Sequence, residues 1–217
     1  MRGAAVLLGV MVLGSCDQLQ TPVRSLSMLD GAAVVQGPAG YCIDPQSSRA
    51  STGFAVLAGC GLVSNLAEMP PVEGLITVQI GAQGSASVNS ASAQIAAMMR
   101  TPTGARMLSG SGQAATVQIA AVDRAEGLVV VRFTDSALSE IAGLGPTTYR
   151  AFLDIGGRLT TVSLRFYARA PVATDMGEQL LAQAVRCCAR QMQRLRSRNR
   201  TNGCFLFRNN LAGMCRN

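Results

Sequence analysis

Cysteine is the residue type in this chain of 217 residues with the widest choice of chemistry, and there are seven of them. A thiol can carry lipid, pair in a disulfide, bind a metal or act as a nucleophile. The chain contains no histidine and no lysine, so all nineteen basic residues are arginines. This composition excludes serine–histidine, cysteine–histidine and serine–lysine nucleophiles, Schiff-base chemistry and histidine-ligated zinc hydrolases.

The first cysteine, Cys16, lies at the end of an apolar segment near the start of the chain. Ten uncharged residues, 4–13, follow a single positive charge at Arg2. A membrane-spanning helix needs roughly 20 apolar residues, so this segment is too short to cross a bilayer. Its length and basic start predict a secretory signal peptide over residues 1–15. The alternative is a strand or helix of the core, but no apolar periodicity precedes Asp17.

The four residues Leu13, Gly14, Ser15 and Cys16 resemble a bacterial lipobox, in which an aliphatic residue and two small residues precede the modified cysteine. The resemblance implies a diacylglycerol on the Cys16 thiol, cleavage after Ser15 and acylation, for example with palmitate, of the new N-terminus. Such chains hold a protein on a bilayer almost permanently. The implied location is the cell envelope, facing the periplasm, with the inner membrane favoured because Asp17 follows the cysteine.

The other six cysteines suit an oxidising compartment, in which they can form up to three disulfides. They are Cys42, Cys60, Cys187, Cys188, Cys204 and Cys215. Proximity in sequence favours a bond between the first two. The remaining pairings cannot be chosen from the sequence.

Adjacent residues on a helix diverge by about 100°, so Cys187 and Cys188 are not expected to pair with each other. Each is expected to pair with Cys204 or Cys215, which would staple the C-terminal tail to the preceding helix. Free buried thiols are the alternative. A four-cysteine zinc site is also conceivable, although the usual Cys-x-x-Cys spacing is missing.

Paired carboxylates could hydrolyse glycosidic bonds without histidine or lysine, which leaves an envelope hydrolase as an alternative function. The acidic residues are scattered, however, and most lie in predicted turns, where solvated carboxylates are the simpler interpretation. The candidates are Asp44, Asp123, Glu126, Asp135 and Asp154. The glycine-rich segments match no phosphate-binding pattern that leads into a helix. The sequence therefore predicts no catalytic residue, no metal site and no cofactor.

The basic character belongs to the C-terminal residues 186–217, which contain eight arginines and no acidic residue. The rest of the chain has 11 arginines against 12 acidic residues. The arginines predicted to contact an anionic surface are Arg190, Arg194, Arg196, Arg198 and Arg200. Anionic lipid, peptidoglycan or an acidic envelope protein are the expected partners, and a solvated basic helix face is the alternative. Nucleic acid is not expected, because no aromatic residues alternate with these arginines.

The elements that would position these residues follow a tether predicted over 16–36. Short strands are predicted within 37–45, 54–63 and 74–81, and one or two helices interrupted at Pro102 lie in the Ser- and Ala-rich middle of the chain. Four further strands form two hairpins, the second closed by Gly156 and Gly157, which suit a turn with positive φ. The last strand, 158–170, alternates apolar and polar residues, as in an antiparallel sheet.

A long helix is predicted from about Asp175 to Arg196, because Asp175 and Glu178 have the spacing of a helix start. Its apolar stripe places Cys188 towards the core and Cys187 nearer the edge. The stripe consists of Leu181, Val185, Cys188, Met192 and Leu195.

This order of elements predicts an α+β fold, with an antiparallel β-sheet packed against helices, a long C-terminal helix and a disulfide-stapled, arginine-rich tail. The predicted divisions are a signal peptide (1–15), a tether (16–36), a single domain (37–196) and a basic tail (197–217). The order is also similar to the α/β/α sandwich of PsbP-like proteins, which include small bacterial lipoproteins. The functional expectation is a membrane-anchored envelope lipoprotein that binds or supports assembly without catalysis.

Overall fold

The computed structural model describes residues 21–65, 68–137 and 143–189, which form nine strands and a set of helices. The strands are β1 (Ser25–Met28), β2 (Ala33–Gln36), β3 (Tyr41–Ile43), β4 (Phe54–Gly59), β5 (Gly74–Ile80), β6 (Val117–Ala125), β7 (Leu128–Asp135), β8 (Leu144–Ile155) and β9 (Arg158–Tyr167). The α-helices are α1 (Cys60–Val63), α2 (Val88–Met99), α3 (Pro102–Leu108) and α4 (174–189). The predicted α+β class is confirmed.

Seven of the strands form one antiparallel sheet in the order β3-β4-β5-β9-β8-β7-β6. β5 pairs with β9, so the chain passes from β5 through α2 and α3 to the far edge and returns inwards strand by strand. The tight β8–β9 turn uses Gly156 and Gly157 at φ +67° and +80°, a region in which side chains other than glycine are strained. The prediction of a glycine turn here is confirmed.

One face of the sheet, which we call the α4 face, is covered by α4 and by the β1–β2 hairpin. Apolar side chains at alternate positions of β4, β5, β8 and β9 form the larger core with them. Leu181 and Cys188 of α4 are 2% and 3% exposed, and Met28 and Val35 of the hairpin are each 1% exposed. These values confirm the predicted apolar stripe of α4 as far as residue 189.

The opposite face, which we call the α2 face, carries a second and smaller core. Val88, Ala96 and Met99 of α2 and Leu108 of α3 pack against side chains of β6 and β7, among them Phe133. Pro102 is the first residue of α3, and the Thr101 side chain accepts a hydrogen bond from the Gly104 amide at its start. The predicted interruption at Pro102 is therefore the boundary between two helices.

The structure differs from the predicted tether over 25–36, because these residues form the β1–β2 hairpin. Leu29 and Asp30 adopt positive φ in its turn, and Met28, Ala33 and Val35 are buried in the core beside α4. The strands have four residues each, which is too short for alternation to be recognised in the sequence. The hairpin also covers sheet residues that would otherwise be exposed to water.

The predicted strand over 54–63 ends at Gly59, and Cys60 begins the short helix α1. Cys60 forms a disulfide with Cys42 of β3, as predicted from their proximity, and both residues are fully buried. The bond closes a loop of 18 residues between the edge strand β3 and the end of β4. It therefore ties the edge of the sheet to its neighbour covalently.

We predict that replacing both Cys42 and Cys60 with alanine lowers the free energy of unfolding by about 3 kcal/mol, because the unfolded chain regains the entropy of the open loop. Urea denaturation of the purified protein measures this difference. The matched control is Cys187→Ala, which removes a partly exposed free thiol. A double variant as stable as the control would contradict the prediction.

Candidate functional site

The helices α2 and α3 cover only part of the α2 face, and a groove lies on the part that they leave open. Among the described residues, most of their contacts are with β6, β7 and β8. Of β9, Leu159 at its start packs against this smaller core. The groove encloses about 140 Å³. Its walls are formed by Leu75, Thr77, Leu144, Thr148, Arg150, Ser163 and Arg165.

Strand register places these side chains in two rows across three neighbouring strands. In one row, Thr77 of β5 lies opposite Ser163 of β9, which lies opposite Arg150 of β8. In the next row, Arg165 of β9 is flanked by Leu75 of β5 and Thr148 of β8. The two arginines are thus diagonal neighbours, a separation that long side chains can bridge.

Arg150 is partly buried at the side of the groove nearest the helices. Its Nε donates a hydrogen bond to Ser163 Oγ at 2.9 Å, and its guanidinium carbon lies 5.3 Å from the centre of the Phe133 ring. Within the described residues, its Nη groups donate to no protein acceptor. Burial lowers the pKa of Arg150, and the negative charge of Asp135 acts in the opposite direction. The side chain nevertheless remains a cation, because the guanidinium pKa starts far above neutrality.

Arg165 is 7% exposed and is held in place by the backbone. Its Nε and Nη2 donate to the carbonyl oxygen of Gly145 at 3.2 and 2.8 Å. Burial lowers the pKa of this guanidinium as well, again with Asp135 acting against the shift. The sequence predicts Arg165 on the polar side of β9. In the structure this side chain is a buried cation.

Two hydroxyl groups lie between the arginines. Ser163 Oγ accepts from Arg150, and its own proton remains available for donation. Thr148 is 1% exposed, and its Oγ1 has no hydrogen-bond partner in the described part of the chain. A buried hydroxyl without a partner costs free energy, and this oxygen is also closed off from solvent.

The acidic residue that acts on both guanidinium groups is Asp135, which ends β7 and is fully buried. Its carboxylate accepts from the amides of Gly110 and Ala137 at 2.7 and 3.0 Å. Burial alone would raise the pKa of Asp135, but these bonds and others from Thr116 and Ser109 outweigh it, so the pKa lies below its usual range. Asp135 is therefore a fixed negative charge and a poor general acid.

The acidic residues considered for glycoside hydrolysis are divided among turns, the end of β7 and the start of α2. Asp44 accepts from the amides of Gln46 and Ser47 in a turn, and Asp154 accepts from Ser87 and Asn89 at the start of α2. The remaining two candidates, Asp123 and Glu126, are exposed at the β6–β7 turn. Asp135, Asp154 and Asp44 thus each stabilise local backbone.

Several predicted site residues lie outside the described residues. These are the lipid-attachment candidate Cys16, the tail arginines Arg190, Arg194, Arg196, Arg198 and Arg200, and the cysteines Cys204 and Cys215. Their roles stay predictions. In the described ranges, no helix has the length and apolar character needed to span a membrane. The same ranges contain no cluster of three or more potential metal ligands from His, Cys, Asp and Glu.

Cys187 and Cys188 have no disulfide partner among the described residues. Their predicted partners, Cys204 and Cys215, lie outside those residues, so the disulfides to the tail stay a prediction. Cys188 faces the core beneath α4, whereas Cys187 is only partly buried, as the helical stripe predicted.

The groove itself was missed by the sequence analysis. The alternation of β9 correctly places Ser163 and Arg165 on one side of the strand. The sequence does not show that β9 lies between β5 and β8, and hence that Arg150 is their neighbour. The available signal is one arginine inside each of two consecutive strands, Arg150 in β8 and Arg165 in β9.

The chain is distantly similar in structure to known proteins. No family model and no curated protein matches the sequence. The Ran-binding protein Mog1p of Saccharomyces cerevisiae is similar over 78% of this chain and 92% of its own, with 12% identity and a TM-score of 0.39. A point mutant of Mog1 gives the same values. A protein of Bacteroides thetaiotaomicron is similar over 75% of this chain and 48% of its own, with 10% identity and a TM-score of 0.34.

We predict that the two adjacent thiols differ in reactivity. Burial raises the pKa of Cys188 to about 12, with a smaller contribution from Cys187, so Cys188 stays a protonated, inaccessible thiol at neutral pH. Iodoacetamide should label Cys187 at least about tenfold faster, as measured by peptide mass spectrometry in native buffer. Equal labelling in urea is the control. Equal labelling in native buffer would contradict the packing of α4.

Proposed function

We propose that this protein is a lipid-anchored lipoprotein of the bacterial cell envelope that acts by binding, without catalysis. The observation that carries the proposal is Leu13-Gly14-Ser15-Cys16 at the end of a segment with the length and charge of a signal peptide. The Cys42–Cys60 disulfide is consistent with an oxidising compartment on the outer side of the inner membrane.

The structure favours binding over hydrolysis in two respects. Guanidinium and hydroxyl side chains are among the residues that line the groove. Asp135, the carboxylate whose charge acts on both arginines, has a lowered pKa, where a glycosidase acid requires a raised one. Asp44 accepts hydrogen bonds from backbone amides in a turn, and Asp154 accepts them at the start of α2. The groove is therefore suited to holding a ligand and lacks a poised proton donor among the described residues.

We expect Cys16→Ser to block lipid attachment and maturation, because serine provides no thiol for the diacylglycerol. The wild-type protein should partition into the detergent phase of Triton X-114, and its intact mass should include the acyl chains. The variant should retain its first 15 residues and lack that mass. The matched control is Cys187→Ser, which should mature and partition like wild type. A Cys16→Ser protein that matures normally would overturn the anchor.

We further propose that the tail arginines Arg190, Arg194, Arg196, Arg198 and Arg200 contact anionic headgroups at about 1 kcal/mol each. In a form that starts at Thr21, Arg190→Gln with Arg194→Gln should weaken binding to phosphatidylglycerol-containing vesicles by about thirtyfold. Vesicle sedimentation at low and high salt measures this effect.

The control for the tail is Arg106→Gln with Arg124→Gln, which removes the same charge from exposed positions of the domain. This variant should bind the vesicles like the parent. Equal loss in both double variants would show that only the net charge matters. Binding that is insensitive to salt would contradict an electrostatic contact.

A further inference from the structure

We propose that the exposed side chains of Leu62 and Met69, which we call the anchor patch, insert into the surface of the lipid bilayer. They would orient the domain with the β3 edge of its sheet towards the membrane. The inference rests on the proposed lipid at Cys16 and deepens it by naming the surface that the lipid brings to the bilayer.

The two side chains of the anchor patch are large, apolar and exposed on adjoining segments. Leu62 is 49% and Met69 is 37% exposed. The Gly61 amide donates to the Glu68 carbonyl at 2.8 Å, and each apolar residue directly follows one end of this bond. The Met69 side chain also lies against Gly59, where an added Cβ would be 3.1 Å from Met69 Cε. Single exposed apolar residues are common, whereas adjoining ones are a candidate contact surface.

The chain that leads from Cys16 enters the domain beside this patch. The Val23 carbonyl accepts from the Ile43 amide of β3 at 2.7 Å. The next residue, Arg24, forms an ion pair with the carboxylate of Glu68. The entering chain is therefore bonded both to the edge strand and to the residue that precedes the methionine of the patch.

The Cys42–Cys60 disulfide closes these contacts into a ring. Cys42 is the neighbour of Ile43 in β3, and Cys60 is the neighbour of Gly61 in α1. Each step from the entering chain to Leu62 is thus a covalent bond, a hydrogen bond or an ion pair. The patch consequently has a fixed position relative to the point where the chain enters the domain.

The short distance to the lipid is what selects the bilayer as the occupant of the patch. Thr21 lies five residues after Cys16, and five residues extend at most about 18 Å. A lipid on Cys16 would hold the entry point and the adjoining patch within that distance of the membrane surface. Because the lipid already supplies the attachment, a second and weaker apolar contact is made at a high effective concentration.

The backbone next to the patch has few donors that would lose water at a membrane surface. Pro70 and Pro71 have no N–H, and the Gly61 amide is already bonded to a carbonyl. Pro70 is also buried against Gly40, where an added Cβ would be 2.7 Å from Pro70 Cα. The segment that carries Met69 is therefore held in place before it meets the bilayer.

The charged side chains near the patch can remain in the aqueous headgroup layer. Arg24 and Glu68 are both exposed and neutralise each other as an ion pair. Asp44 lines a shallow groove together with Leu62, and its carboxylate accepts from two backbone amides of a turn. Insertion of the two apolar side chains alone therefore requires none of these charges to leave water.

The first test uses tryptophan as a probe, because the chain contains none. The full-length, lipidated Leu62→Trp protein is placed in phosphatidylcholine vesicles whose acyl chains are brominated close to the headgroups. Bromine should quench its emission at least about twofold relative to the same vesicles without bromine, because the indole would lie in the interface.

The matched control is Met107→Trp, at a methionine that is 60% exposed. Met107 lies in α3, which packs beside β6, and β6 is the edge of the seven-stranded sheet opposite β3. Six strand spacings separate the two edges, about 29 Å. The emission of this variant should be the same in brominated and unbrominated vesicles.

The second test needs no substitution in the patch. Hydroxyl radicals oxidise exposed methionines, and peptide mass spectrometry reads each site separately. The comparison is with the same chain from residue 16 onwards, exported behind an ordinary signal peptide and carrying Cys16→Ser, which has no lipid. In vesicles the lipidated protein should be oxidised at Met69 at least about fivefold more slowly than this comparison chain, and at Met107 equally fast.

The intact mass of the lipidated preparation separates the possible failures. Acyl chains on Cys16 without quenching of Leu62→Trp, or without protection of Met69, would overturn the docking surface and leave the anchor standing. Absence of acyl chains would overturn both proposals. Protection of Met69 in the comparison chain that increases with protein concentration would show that a second copy covers the patch, and would also overturn the bilayer contact.

Discussion

The architecture depends on how the two faces of a seven-stranded antiparallel sheet are removed from water. The α4 face is covered by a helix and by the β1–β2 hairpin, which together bury the alternate apolar side chains of β4, β5, β8 and β9. In the described part of the chain, the α2 face is covered by two helices, which pack mainly on β6, β7 and β8. β5 and β9 carry Thr77, Ser163 and Arg165 on that face beside the apolar Leu75, and these side chains line the groove at the edge of the helical cover.

Buried charges at such a boundary are stable only when their desolvation is offset. Ser163, the Phe133 ring and the Gly145 carbonyl compensate the two arginines, and the field of Asp135 acts on both. Asp135 in turn is held by backbone amides, one of them from Gly110 in the loop after α3. The loop after α3 thus helps to hold the negative charge of Asp135, which acts on the two arginines of the groove.

The sequence predicted the parts of the fold that depend on local patterns. The alternation of β9, the turn at Gly156 and Gly157, the helix start at Pro102 and the buried stripe of α4 are each encoded within a few residues. The β1–β2 hairpin and the groove depend on distant contacts. The hairpin is buried only because α4 packs beside it, and the groove exists only because β9 inserts between β5 and β8. In both features the residues that contact each other are far apart in the sequence, so no local pattern includes both of them.

The hairpin changes what a lipid on Cys16 would mean for the domain. A flexible tether over 16–36 would let the domain move far from the bilayer. In the structure the chain is held from Val23 onwards, since the Val23 carbonyl accepts from the Ile43 amide at 2.7 Å and the hairpin follows directly. Seven residues from Cys16 to Val23 extend at most about 25 Å. A lipidated domain would therefore remain close to the membrane. The hairpin and α4 cover one face of the sheet, whereas the groove opens on the other. The covered face and the face with the groove are therefore separate surfaces of a domain that would be held close to the bilayer.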